Sequence, residues 1–139
     1  MYYKKINLLI LLLFYFSSLF VNAEELEINI SQGSIKPTPI AITDFYSKDL
    51  KAVKIGKDMA EIISNNLESS GLFLPKDKKS FIQDNESLNL QPRFEDWRLI
   101  KTDHLVSGKI NIQNETMSIE FRLYNVSIQK QLTGKRYET

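Results

Sequence analysis

His104 is the only imidazole in the 139-residue chain, and there is no cysteine. A nitrogen/sulfur zinc site needs several such ligands, so this chain assembles none. His104 sits at the start of a predicted strand, where a structural or solvent-exposed role is expected. A Ser/His/Asp relay would have to converge in space, because no Gly-x-Ser-x-Gly elbow nominates a serine. Asp44 follows the apolar run Ile40-Ala41-Ile42-Thr43. It therefore falls near the C-terminal end of a strand, a common place for catalytic carboxylates in α/β sheets. It has no perturbing partner close in sequence, and a turn-capping role is expected instead. Gly56 and Gly108 each stand alone, so no phosphate-cradling loop exists. Close packing accounts for the first, and a bulge or close approach for the second. Trp97 is spaced by three from Phe94 and Ile100, which points to a core anchor rather than an exposed binding residue. Lys76, Lys78 and Lys79 with Asp77 form a solvated charged loop. No catalytic residue, metal ligand or cofactor site emerges from these residues.

What remains is recognition through backbone. The run Glu24-Glu25-Leu26-Glu27-Ile28-Asn29-Ile30-Ser31 sets Leu26, Ile28 and Ile30 against polar neighbours in strict alternation. That pattern is a half-buried strand. A short strand at a chain terminus leaves its parent surface at low cost. It can then add to the open edge of a partner sheet, with the three aliphatic side chains in alternate pockets. The same strand could complete its own domain's sheet, and the two uses are compatible as a switch.

The segment becomes a terminus only if the residues before it are removed. Lys4 and Lys5 form a positive n-region, Ile6 to Phe20 an apolar run, and Val21-Asn22-Ala23 the small-residue pattern of a signal-peptidase site. Residues 1–23 are therefore expected to be a signal peptide cleaved between Ala23 and Glu24. The run is short for a bilayer span of about 20 residues. Contact with the membrane is expected only through this peptide before cleavage. No cysteine follows it, so a lipid anchor is not expected.

The exported chain, 24–139, has 116 residues, enough for one small domain. Without Lys4 and Lys5 it carries 16 basic and 17 acidic side chains, a net charge of about −1. A near-neutral chain has no general attraction to nucleic acid or anionic lipid. Without disulfides, apolar burial must hold the fold.

After a break at Ser31–Ser34, Pro37 and Pro39 predict extended chain poorly suited to central pairing. Residues 40–45 predict a short strand buried on both faces. Ser47 or Asp49 can cap a helix whose stripe is Val53, Gly56, Met59/Ala60, Ile63 and Leu67, ended by Gly71. Leu72–Leu74 is a brief apolar segment, and 76–91 a loop with one helical turn. A second helix follows over 92–101. Residues 104–112 and 117–124 form a β-hairpin turned at Asn114-Glu115-Thr116, and 131–137 a further strand. The order is β-β-α-β-α-β-β-β: a mixed α/β (α+β) sheet with helices on one face. One more helix is expected on packing grounds, because the hairpin would otherwise bare an apolar face. The domain at 35–139 is accordingly expected to be incomplete at its C-terminus.

Several segments together carry a family likeness. They are the alternating start, Gly33, Pro39 with Ile40-Ala41-Ile42-Thr43-Asp44-Phe45, and Ser70-Gly71-Leu72-Phe73. Trp97, Ile100, Asp103, Leu105-Val106, Gly108 and Phe121-Arg122-Leu123-Tyr124 follow in order. Over about 25–139 the chain resembles the N-terminal domain of the TolB family, periplasmic proteins of the Tol–Pal envelope-integrity and cell-division system. The resemblance implies a non-enzymatic, periplasmic interaction module, in a family where a six-bladed β-propeller follows this domain. It implies that the segment from Glu24 to about Ser34 recruits the C-terminal domain of TolA. It also implies that contact with the lipoprotein Pal is made mostly by the propeller, which this sequence lacks. A second reading is a stand-alone exported adaptor of related fold, for outer-membrane assembly or secretion. An envelope hydrolase has almost no residue support.

Overall fold

The structure, a computed structural model, describes residues 36–139. The expected signal peptide and the alternating segment 24–34 lie outside the described residues. The elements are β1 (Thr38–Ile42), α1 (Leu50–Ser69), β2 (Phe73–Pro75), a 3-10 turn (Lys78–Ser80), α2 (Asn85–Leu90), α3 (Phe94–Leu99), β3 (His104–Gln113), β4 (Thr116–Asn125) and β5 (Lys130–Glu138). They form a mixed five-stranded sheet in the order β2-β1-β3-β4-β5. β1 runs parallel to β2 and β3, and the β3-β4-β5 portion is antiparallel. The mixed α+β class is as the sequence predicts.

The placement of the helices differs from expectation. Successive residues of a strand point to opposite faces. Ile40 and Ile42 accordingly join Ala52 and Ala60 of α1 in one core cluster. Ala41 lies in a second cluster with Leu88 of α2, Trp97 of α3, Leu105 and Tyr124. Helices therefore cover both faces, not one. The burial of β1 on both sides, visible in its unbroken apolar run, is the direct consequence.

Pro39 also corrects an expectation, because it lies in β1, a central strand. Its carbonyl accepts from the Asp103 N–H at 3.0 Å, one residue before β3 begins. In a parallel ladder the N–H and C=O of one residue address the same neighbour. The donor that proline lacks would thus point ahead of β3, where no strand partner waits.

α1 starts and stops where the sequence predicts. The Asp49 carboxylate accepts from the Lys51 N–H at 2.8 Å, and the Ser47 hydroxyl from the Asp49 N–H at 3.1 Å. Gly71 follows the helix with φ +71°, a left-handed conformation that glycine adopts without a Cβ clash. The buried stripe is rotated from the expected one. Ala52, Gly56 and Ala60 face inward, while Val53 is 47 % exposed. Small residues lead because the helix comes so close to the chain at Phe45. The Phe45 N–H donates to the Gly56 carbonyl at 3.2 Å, and a Cβ on Gly56 would stand 2.3 Å from the Phe45 oxygen. Met59, Ile63 and Leu67 are left half-buried beside that seam.

The stretch 76–91 carries more order than a loop. The Asp77 carboxylate caps the 3-10 turn through the Lys79 N–H, and the Asp84 carboxylate caps α2 through the Ser87 N–H. The second long helix is shorter than predicted, because Lys101 takes a positive φ of 55° just beyond it. Asn114 and Glu115, both at positive φ, make the two-residue turn between β3 and β4. Mirror-image turns of this kind match the twist of paired strands.

Candidate functional site: an uncovered apolar sheet face

On one side of the sheet α1 packs over β1, β2 and β3, and no described element covers β4 and β5. Met117, Ile119, Phe121 and Leu123 alternate along β4 and therefore all point to this side, packing only at its margin. Between them and Met59, Ile63 and Leu67 of α1 runs an apolar groove of about 640 Å³. Tyr137 of β5 closes the far wall. Its ring stacks on Phe121 with centroids 6.5 Å apart, the Lys135 ammonium lies 5.0 Å from it, and the residue remains 51 % exposed. His104 lines the groove where β3 starts, and its Nδ1 has no hydrogen-bond partner. A face of this kind can bury an apolar surface. The bare hairpin face that packing logic anticipates is thus present among the described residues.

The groove makes a direct prediction. The native chain should enhance the fluorescence of an apolar dye such as ANS, and Phe121→Ser with Leu123→Ser should remove most of that signal. An unchanged signal in this double variant would place the dye elsewhere.

The polar candidates do not converge. His104 pairs with Ile40 at the middle of β1, whereas Asp44 lies beyond the strand's C-terminal end. Four residues of extended chain separate Ile40 from Asp44, about 13 Å, so His104 and Asp44 form no acid–base pair. Asp44 is engaged by the Lys78 ammonium. It lines a recess of about 10 Å³ with Thr43, Ser107 and Arg122, room for about one water. At the β4–β5 border one carboxylate, Glu120, serves both Arg122 and Arg136. Burial would raise the Glu120 carboxyl, but hydrogen bonds and charge from Arg136 and Arg122 outweigh it and hold the group below the usual glutamate range.

Trp97 is 1 % exposed, as the core reading predicts. Its indole N–H donates to Gln83 Oε1 at 3.1 Å. That oxygen also accepts from the Arg93 N–H at 2.8 Å, while Gln83 Nε2 donates to the Gln91 carbonyl at 2.8 Å. Sequence reasoning missed Gln83, since a glutamine in a polar stretch carries no periodic signal. Gly108 meets the close approach expected of it: a Cβ there would fall 2.3 Å from the Phe45 ring. The predicted partner-binding residues Glu24, Glu25, Leu26, Glu27, Ile28, Asn29, Ile30 and Ser31, and the cleavage pair Ala23–Glu24, lie outside the described residues.

Known proteins resemble the chain over most of its length. The family model for the TolB amino-terminal domain matches residues 26–132. The Tol-Pal system protein TolB of Pelagibacter ubique (strain HTCC1062) is 37 % identical over 123 residues, covering 82 % of this chain and 28 % of that protein. The protein of the same name from Paramagnetospirillum magneticum (strain ATCC 700264 / AMB-1) is 44 % identical over 111 residues, covering 79 % of this chain and 25 % of its own. The chain thus spans about a quarter of the length of these curated relatives. Among solved structures, TolB from Acinetobacter baumannii superposes with a TM-score of 0.57 at 20 % identity, over 74 % of this chain and 23 % of that one. That likeness is one of fold. With the family model spanning β1 through most of the sheet, the chain belongs to the TolB amino-terminal domain family.

Proposed function

We propose that this chain acts in the periplasm as a component of the Tol–Pal envelope system, by protein–protein contact rather than catalysis. The observation that carries the reading is where the family match begins. It starts at Leu26, which supports reading the alternating Leu26-Ile28-Ile30 segment as part of the domain. Once the peptide bond after Ala23 is cut, Glu24–Ser31 is a free strand of eight residues. It adds to an exposed sheet edge of the C-terminal domain of TolA, where backbone hydrogen bonds supply affinity and the three aliphatic side chains supply register. Contact with Pal is not part of this proposal.

The test is recovery of the TolA C-terminal domain on the immobilised, exported chain. A variant with Leu26→Asp, Ile28→Asp and Ile30→Asp places three charges on the face that enters the pockets. Recovery should fall about tenfold or more, since burying even one unpaired charge costs more than 1.4 kcal/mol. Equal recovery by both proteins would remove the strand-addition mechanism.

A further inference from the structure

β5 forms one border of the sheet, and all nine of its residues are exposed. No described residue pairs with its outer side. Met117 and Thr139 exchange both backbone hydrogen bonds, each at 3.0 Å. Because such pairs alternate along an antiparallel ladder, residues 133, 135 and 137 address β4. The N–H and C=O groups of Gly134, Arg136 and Glu138 therefore point outward. The register irregularity at Leu123/Tyr124 leaves 133–138 as the regular part of the strand, and no proline interrupts it.

This border is charged in one sense. Lys130, Lys135 and Arg136 outnumber Glu138, and the inward carboxylate of Glu120 is already shared between Arg122 and Arg136, the latter at 2.9 Å. Gly134 adds a shape feature. A Cβ there would stand 2.9 Å from Gln131 Nε2 and 3.0 Å from the Phe121 carbonyl. A shallow recess of about 240 Å³ lies beside Gly134, between Arg122, Lys135 and Arg136.

We infer that β5 receives an extended, acidic strand of another protein as a sixth strand of the sheet. The incoming backbone pairs with the outward groups of Gly134, Arg136 and Glu138, and its carboxylates, which share one face of an alternating strand, meet Lys135 on the side of Phe121 and Tyr137. Edge lysines and arginines commonly guard a strand against its own kind. A second copy of this chain would bring three more cations against these three, whereas an acidic strand turns that repulsion into attraction. The partner is thereby selected by charge and held by backbone.

The test titrates the exported chain into a labelled ten-residue peptide alternating glutamate with valine, read by fluorescence anisotropy at low salt. Two comparison peptides leave the protein untouched: one with lysine for each glutamate, one N-methylated at alternate residues to block ladder hydrogen bonds. The glutamate peptide should bind, and each comparison peptide should bind about tenfold more weakly or worse. Lys135→Gln should weaken the glutamate peptide severalfold. Equal binding of the lysine peptide removes the charge selection, and undiminished binding of the N-methylated peptide removes the strand addition. No binding of the glutamate peptide, or self-association of the protein without peptide, overturns the proposal outright.

Discussion

Phe45→Ala is expected to lower the stability of this domain by about 3–5 kcal/mol, read as a shift of the chemical-denaturation midpoint. Phe45 is 3 % exposed and joins α1 to β3. Its backbone binds the Gly56 carbonyl, its ring lies on Gly108 of β3, and its side chain forms the inner end of the groove. Truncation removes apolar burial and leaves a void that backbone on two sides prevents from collapsing. Gly108 faces this ring, whereas Gly56 faces the Phe45 backbone, and the first dependence is itself measurable. Gly108→Ala alone should cost about 1–3 kcal/mol through overpacking. In the Phe45→Ala background the added methyl enters vacated space, so its cost should disappear. A double-mutant cycle measures that coupling. Additive costs would show that Gly108 is small for another reason.

Gln83→Leu is expected to cost about 2–4 kcal/mol, although the leucine matches the burial of the site. One amide satisfies three groups: the Trp97 indole N–H, the Arg93 N–H and the Gln91 carbonyl. Removing it leaves the buried Trp97 indole N–H and two part-buried backbone groups without partners, and an unmade hydrogen bond at a buried site costs more than a made one contributes. Phe81, edge-on to Trp97 with centroids 5.1 Å apart, packs on the same unit and should loosen with it. A denaturation midpoint together with the Trp97 emission maximum checks this, and a red shift in the folded state is the expected signature. A leucine variant as stable as the parent would make the amide incidental.

These residues show where local pattern suffices. α1 was legible from its cap at Asp49 to Gly71, because capping and a left-handed stop are decided within a few residues. The β3–β4 hairpin was legible from alternation and a two-residue turn for the same reason. Family membership followed from the order of such segments along the chain. Val53 shows the limit, since its period fits the stripe and yet it faces solvent. Which side of α1 is innermost depends on how closely the helix approaches Phe45, and that distance is a property of the packed pair.

The chain alone therefore determined the strands from Thr38 onward, the long helix, the turn chemistry and an apolar face on the hairpin. Only the tertiary structure decided that the helices divide between two faces, that Pro39 tolerates a central strand, and that Gln83 holds Trp97. It alone decided that Phe45 claims the space two glycines leave, and that the groove opens over β4 and β5. Propensity and periodicity act between residues a few positions apart. Register, face and hydrogen-bond satisfaction arise between residues as distant as Phe45 and Gly108, and they exist only once the sheet has closed.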